Sequence, residues 1–105
     1  MENKLRAAMI KKETLDTETI GKDNCCDMGK WLHGDGKRSL GELASYSVCV
    51  EKHANFHKEA GKVATLINAR KYDEAELALG LHSAYGQASN AVATAIVRLR
   101  KEGGL

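Results

Sequence analysis

Apolar residues recur along most of this chain in steps of three and four, the spacing that places side chains on one face of a helix. The longest such pattern lies between Ser39 and Ile67, where Leu43, Tyr46, Val50, His53, His57, Ala60, Ala64 and Ile67 form one seam. A seam of that kind is the core stripe of a helix packed in a bundle. Ser39-Leu40-Gly41-Glu42 has the form of a capping box and predicts the start of this helix, with Ser39 at the N-cap. Leu81, Tyr85, Ala88, Val92, Ala95 and Leu99 make a second seam. It predicts a last helix that stops at Gly103-Gly104. Met1, Leu5, Ala8 and Lys12 keep the same spacing at the front of the chain, and Met9 widens the face. That pattern has no N-cap, so the first helix is expected to begin upstream of Met1.

The intervening segments read differently. Residues 13–24 form a polar connection with room for one helical turn near Thr17. Asp23 or Asn24 can cap a short helix over residues 25–33, which Gly34 would end. Residues 34–37, Gly-Asp-Gly-Lys, read as a flexible loop. Residues 72–79 are a further helical piece, broken at Gly80. Three long helical patterns and a shorter fourth predict an all-α fold. The expected architecture is an antiparallel four-helix bundle with a short extra helix carrying Cys25 and Cys26. Residues 1–105 are read as one domain.

Composition narrows the function classes. The chain has no proline, and 43% of its residues are hydrophobic, as a globular helical domain requires. A net charge of +2 without a basic run gives no reason to expect a nucleic-acid partner. The longest apolar run, residues 91–97, is too short to span a membrane and contains Thr94. No signal peptide is evident at the polar start. Cys25, Cys26 and Cys49 are odd in number and two are adjacent. That is a poor disulfide framework and points to a reducing, cytoplasmic compartment.

The candidate chemistry sits in the middle of the long seam. His53 and His57 are four residues apart, so one helix presents two imidazoles to the same point. A buried polar ring without a partner costs a few kcal/mol, about 2–7 on transfer scales, and a metal ion is the simplest shared explanation for two. Ala54 stands where the metalloprotease motif H-E-x-x-H has its glutamate, which removes the usual general base of that class. Cys25, Cys26, His33, Cys49 and His82 are the remaining candidate ligands. Residues 49 and 57 are about 12 Å apart along a helix axis, too far to share one ion. Cys49 could pair with His53 alone or be a buried apolar thiol, and the core thiol is the expectation. Cys25 differs in direction from Cys26 by about 100° around a helix and is expected not to be a ligand. His33, at a helix end, and His82 are expected at the surface or in structural roles, and Trp31 and Tyr46 in packing. For Cys26, the residues alone leave a buried inert thiol and a metal ligand equally open.

Cys26-x-Met28-Gly29-x-Trp31 followed by His53-x-x-x-His57 resembles the chemoreceptor zinc-binding domain of bacteria. The resemblance covers nearly the whole chain, including the helix that ends in Arg98-Leu99-Arg100. It implies a cytoplasmic four-helix bundle, dimeric, attached to a soluble chemoreceptor or a diguanylate cyclase as its output domain. It also implies zinc held by three histidines and one cysteine, with Cys26, His53 and His57 as ligands. The family's remaining histidine would fall about one turn before Met1, on the face of Met1, Leu5 and Ala8. The function implied is sensing of zinc or of thiol oxidation, without catalysis. The alternatives are a small zinc enzyme with an open His-His-Cys site and a metal-free structural or dimerising bundle.

Overall fold

The computed structural model describes residues 2–104. All regular structure among them is helical. The helices are α1 (Glu2–Lys11), α2 (Thr17–Gly21), α3 (Asp27–His33), α4 (Asp35–Leu40), α5 (Ala44–Asn68), α6 (Tyr72–Ala78) and α7 (Ala84–Gly103). The expectation placed on Met1 lies outside the described residues.

The long seam becomes α5, and α5 is the spine of the molecule. Its 25 residues span about 37 Å at 1.5 Å per residue, most of the 43 Å long axis. Helices α1, α2, α6 and α7 all pack against it. Helix α7 runs antiparallel to α5. Tyr46 and Cys49 near the start of α5 share a core cluster with Ala95 and Leu99 near the end of α7. Ala60, Ala64 and Ile67 share the other cluster with Tyr85, at the start of α7. Tyr46, His53, His57, Ala60, Ala64 and Ile67 are all buried, as the spacing requires. Leu43 and Val50 are only half-buried at the edge of the first cluster. None of the helices among the described residues is long and apolar enough to cross a membrane.

Several boundaries differ from the sequence expectation. The Ser39 capping box does not form. Ser39 lies inside α4 and is exposed, and α5 begins at Ala44 after Leu43, without a side-chain cap. The glycine-rich segment expected as a loop is helix α4 itself. Gly36 explains this: a Cβ there would lie 2.9 Å from the Trp31 ring, so α4 folds back onto α3 where only glycine fits. Leu81 is 68% exposed and lies outside α7. The helix begins three residues later, at Ala84, because the Ser83 hydroxyl caps it, accepting from the Gly86 N–H at 3.1 Å. At the other end Gly104 closes α7 in the left-handed conformation (φ 70°), as the Gly-Gly stop predicts.

The approach to the site is fixed by a polar clamp. After α1, the Leu15 N–H donates to Asn68 Oδ1 at 2.7 Å, and Asn68 Nδ2 donates to the Leu15 carbonyl at 2.8 Å. This pins the connection to the C-terminal end of α5. Helix α2 then runs back along α5 and delivers the Cys25-Cys26 bend beside the middle of that helix.

Candidate metal centre

The two histidines of α5 are each only 3% exposed. Their rings lie edge to face, with centroids 4.6 Å apart, as side chains one turn apart do. Their Nε2 atoms are 3.1 Å from each other. Cys26 comes from the other side. It is the N-cap residue of α3, and its Sγ lies 3.3 Å from His53 Nε2 and 3.4 Å from His57 Nε2. One sulfur and two nitrogens thus form a nearly equilateral triangle. Zinc–ligand bonds of about 2.0–2.3 Å in tetrahedral geometry imply edges of roughly 3.3 Å between nitrogens and 3.5 Å between sulfur and nitrogen. The triangle is within a few tenths of an ångström of that outline.

The sequence reasons for this placement are local. Gly29 lets the incoming chain lie directly on α3, since a Cβ there would be 1.7 Å from the Asp23 carbonyl oxygen. The Gly29 N–H also donates to Cys26 Sγ at 3.3 Å, which orients the sulfur. The partner of His57 is the Ile20 carbonyl of α2, 2.8 Å from Nδ1. Nδ1 therefore carries the proton, and Nε2 turns its lone pair toward the triangle. His53 Nδ1 is buried without a hydrogen-bond partner among the described residues. Burial, and secondarily the neighbouring His57, lower the pKa of His53, while Asp23 opposes the shift and His33 adds to it. The neutral imidazole so favoured is the form that ligates a metal.

The other candidates stand apart. Among the described residues, Cys26, His53 and His57 are the group of His, Cys, Asp and Glu side chains able to share one ion. Cys49 is fully buried against Leu32, Tyr46, Ala95 and Leu99, and burial pushes its thiol pKa up. Cys25 is exposed, with its sulfur 3.5 Å from Asn24 Oδ1. His33 Nε2 pairs with Asp23 Oδ2 at 3.1 Å on the surface. His82 is exposed in the turn before α7, where its carbonyl accepts from Gln87 Nε2. Tyr46 packs as expected and also donates its hydroxyl to the Leu32 carbonyl, fastening the end of α3 to α5. The orienting carbonyl of Ile20 and the Asn68 clamp have no residue-spacing signature, and sequence reading misses both.

The chain matched none of the curated proteins and none of the solved structures with which it was compared. The family model of the chemoreceptor zinc-binding domain matches residues 2–64, a stretch that runs from α1 through most of α5 and contains all three converging donors. With more than half of its length matched and a thiol and two imidazoles drawn together inside that stretch, the chain belongs to the chemoreceptor zinc-binding domain family.

Proposed function

We propose that this domain binds zinc through Cys26 Sγ and the Nε2 atoms of His53 and His57, and that it regulates a bacterial signalling protein. The observation that carries this reading is the triangle of one sulfur and two nitrogens, 3.1–3.4 Å on its edges. A thiolate with imidazoles suits zinc better than a hard oxygen-seeking cation. Zinc would tie the start of α3 to the middle of α5. Its loss, or oxidation of the Cys26 sulfur, would untie them. That change is the signal, passed to an output domain of a soluble chemoreceptor or a diguanylate cyclase in the cytoplasm. The working unit is a homodimer of antiparallel four-helix bundles.

The fourth ligand is proposed to be a histidine on α1, about one turn before Met1. The course of α1 supports this. Leu5 and Ala8 pack with Ala60, Val63, Ala64 and Ile67, and the chain leaving α1 meets Asn68 at the C-terminal end of α5. Helix α1 therefore runs alongside the C-terminal half of α5 in the same direction, with its start on the side of α5 nearer His57. The role proposed is non-catalytic, in keeping with the zinc-binding family to which the chain belongs.

Metal analysis of protein purified without chelator tests the reading. One zinc per chain is expected, with a sulfur-to-metal charge-transfer band after cobalt substitution. Both should disappear in Cys26→Ala, and neither should change in Cys25→Ser. A chain that takes up no metal, or one in which Cys26→Ala leaves zinc binding intact, would refute it.

A further inference from the structure

We propose that Cys25 is a resolving thiol for Cys26: once the Cys26 sulfur is oxidised by a hydroperoxide, Cys25 closes on it as a reversible disulfide. The inference rests on the proposed role of Cys26 as the reactive sulfur of the site. It starts from the contrast between two adjacent cysteines. Cys26 Sγ points inward, against both Nε2 atoms and the Gly29 N–H. Cys25 points outward and is exposed. Both lie in the bend between α2 and α3, before the first residue of α3, so the peptide joining them is not locked in a helix. Lys22, Asp23, Asn24, Cys25 and Lys30 line an open hollow at the surface, which gives a reducing thiol a way in to Cys25.

The chemistry balances with one oxidant. The Cys26 thiolate attacks the terminal oxygen of the hydroperoxide, the O–O bond breaks, and the other oxygen leaves as an alcohol after taking a proton. Cys26 becomes the sulfenic acid. The Cys25 thiolate then attacks the Cys26 sulfur. The S–S bond forms, the S–O bond breaks, and hydroxide leaves as water with the proton that Cys25 released. Two thiols have lost two electrons, and the hydroperoxide has become an alcohol and water.

The geometry makes this product incompatible with the metal site. Cys26 Sγ cannot bond outward to Cys25 and still lie 3.3 Å and 3.4 Å from the two histidine nitrogens. Disulfide formation therefore empties the triangle instead of modifying it in place. Adjacent Cα atoms are about 3.8 Å apart across a trans peptide, closer than the usual minimum of about 4.4 Å for a disulfide. The bond is strained and yields readily to external thiols, so Cys25 would turn an irreversible oxidation of Cys26 into a resettable one.

The test treats the zinc-loaded protein with one equivalent of hydrogen peroxide, then blocks free thiols and maps the peptides. In the wild type, zinc should be released, residues 25 and 26 should be joined within one chain, and dithiothreitol should restore both free thiols and zinc binding. In Cys25→Ser, zinc should still be released, but Cys26 should be captured as sulfenic acid by a dione probe. Further peroxide should carry it to sulfinic acid, which dithiothreitol does not reverse. Wild-type Cys26 reaching sulfinic acid as fast as in Cys25→Ser, or Cys25 found joined only to another chain, would overturn the proposal while leaving Cys26 as the sensing sulfur. Peroxide that leaves Cys26 unmodified in both proteins would overturn the proposal together with the redox reading beneath it.

Discussion

Gly29 sits so close to Asp23 that a methyl group on its Cα would fall 1.7 Å from the Asp23 carbonyl oxygen. The same glycine donates its N–H to Cys26 Sγ, so one close approach sets both the path of the incoming chain and the aim of the sulfur. Gly29→Ala must move backbone rather than a flexible side chain. It should cost about 1–3 kcal/mol of stability, the usual range for overpacking, and weaken zinc binding in the same protein. Gly21→Ala is the control, since nothing lies within 4 Å of a Cβ there. Urea unfolding and zinc titration of both variants check the pair. Equal behaviour would mean that the approach at Gly29 does not hold the site.

Asn68 and Leu15 exchange two hydrogen bonds across the sequence. Asn68→Ala leaves a backbone N–H and a carbonyl in a partly buried place without their partner. Each lost bond is worth roughly 0.5–1.5 kcal/mol, so a total loss of about 1–3 kcal/mol is expected. Asn68→Asp keeps the acceptor for the Leu15 N–H but sets a carboxylate oxygen against the Leu15 carbonyl, and should recover little. Amide exchange at Leu15 should accelerate in Asn68→Ala by the factor that matches the stability loss. Unchanged exchange would show that the clamp is dispensable.

Stability of the metal-free protein should fall as pH drops below neutrality. Burial lowers the pKa of His53 in the folded state, while the unfolded chain takes up that proton near pH 6.5. Between the two values the unfolded state binds more protons, so stability rises with pH across the window. Its contribution is complete above about pH 6.5 and is lost as the pH falls through the lower, folded value. The urea midpoint should be higher at pH 7.5 than at pH 5.5, and the difference should shrink in His53→Gln even if that variant is less stable at both. A midpoint that climbs on acidification would contradict the sign.

How far the sequence speaks depends on which physical constraint acts. The seam of α5 is legible because helix geometry fixes which residues share a face. Tyr46, His53, His57, Ala60, Ala64 and Ile67 are buried for that reason. The same rise per residue sets Cys49 about 12 Å from His57 along the helix axis, and the thiol indeed belongs to a different, apolar cluster. The start of α5 is not legible, because the Ser39–Glu42 pattern is a local preference. The packing of Gly36 under Trp31, a tertiary contact, draws Ser39 into α4 instead. Leu81 has the right spacing for the α7 seam, yet the Ser83 cap starts the helix after it. Donors and acceptors on the main chain, such as the Ile20 carbonyl that orients His57, leave no mark in residue type at all.

A final prediction concerns the fourth ligand and the direction of α1. In the proposed site α1 contributes a coordinate bond as well as the apolar contacts of Leu5 and Ala8. Extending the chain by a turn and a half upstream, with a histidine about one turn before Met1, should therefore do two things when zinc is present. It should tighten zinc binding, and it should raise the thermal midpoint through the coupling of metal binding to folding. The same extension with alanine in place of histidine adds helix without a ligand and separates the two effects. The histidine gain should disappear in Cys26→Ala, because both residues act through one ion and their effects cannot be additive. It should also disappear when a chelator removes the zinc. A gain that persists in Cys26→Ala or without metal would mean that the upstream turn stabilises α1 by packing alone, and that the three converging donors work without it.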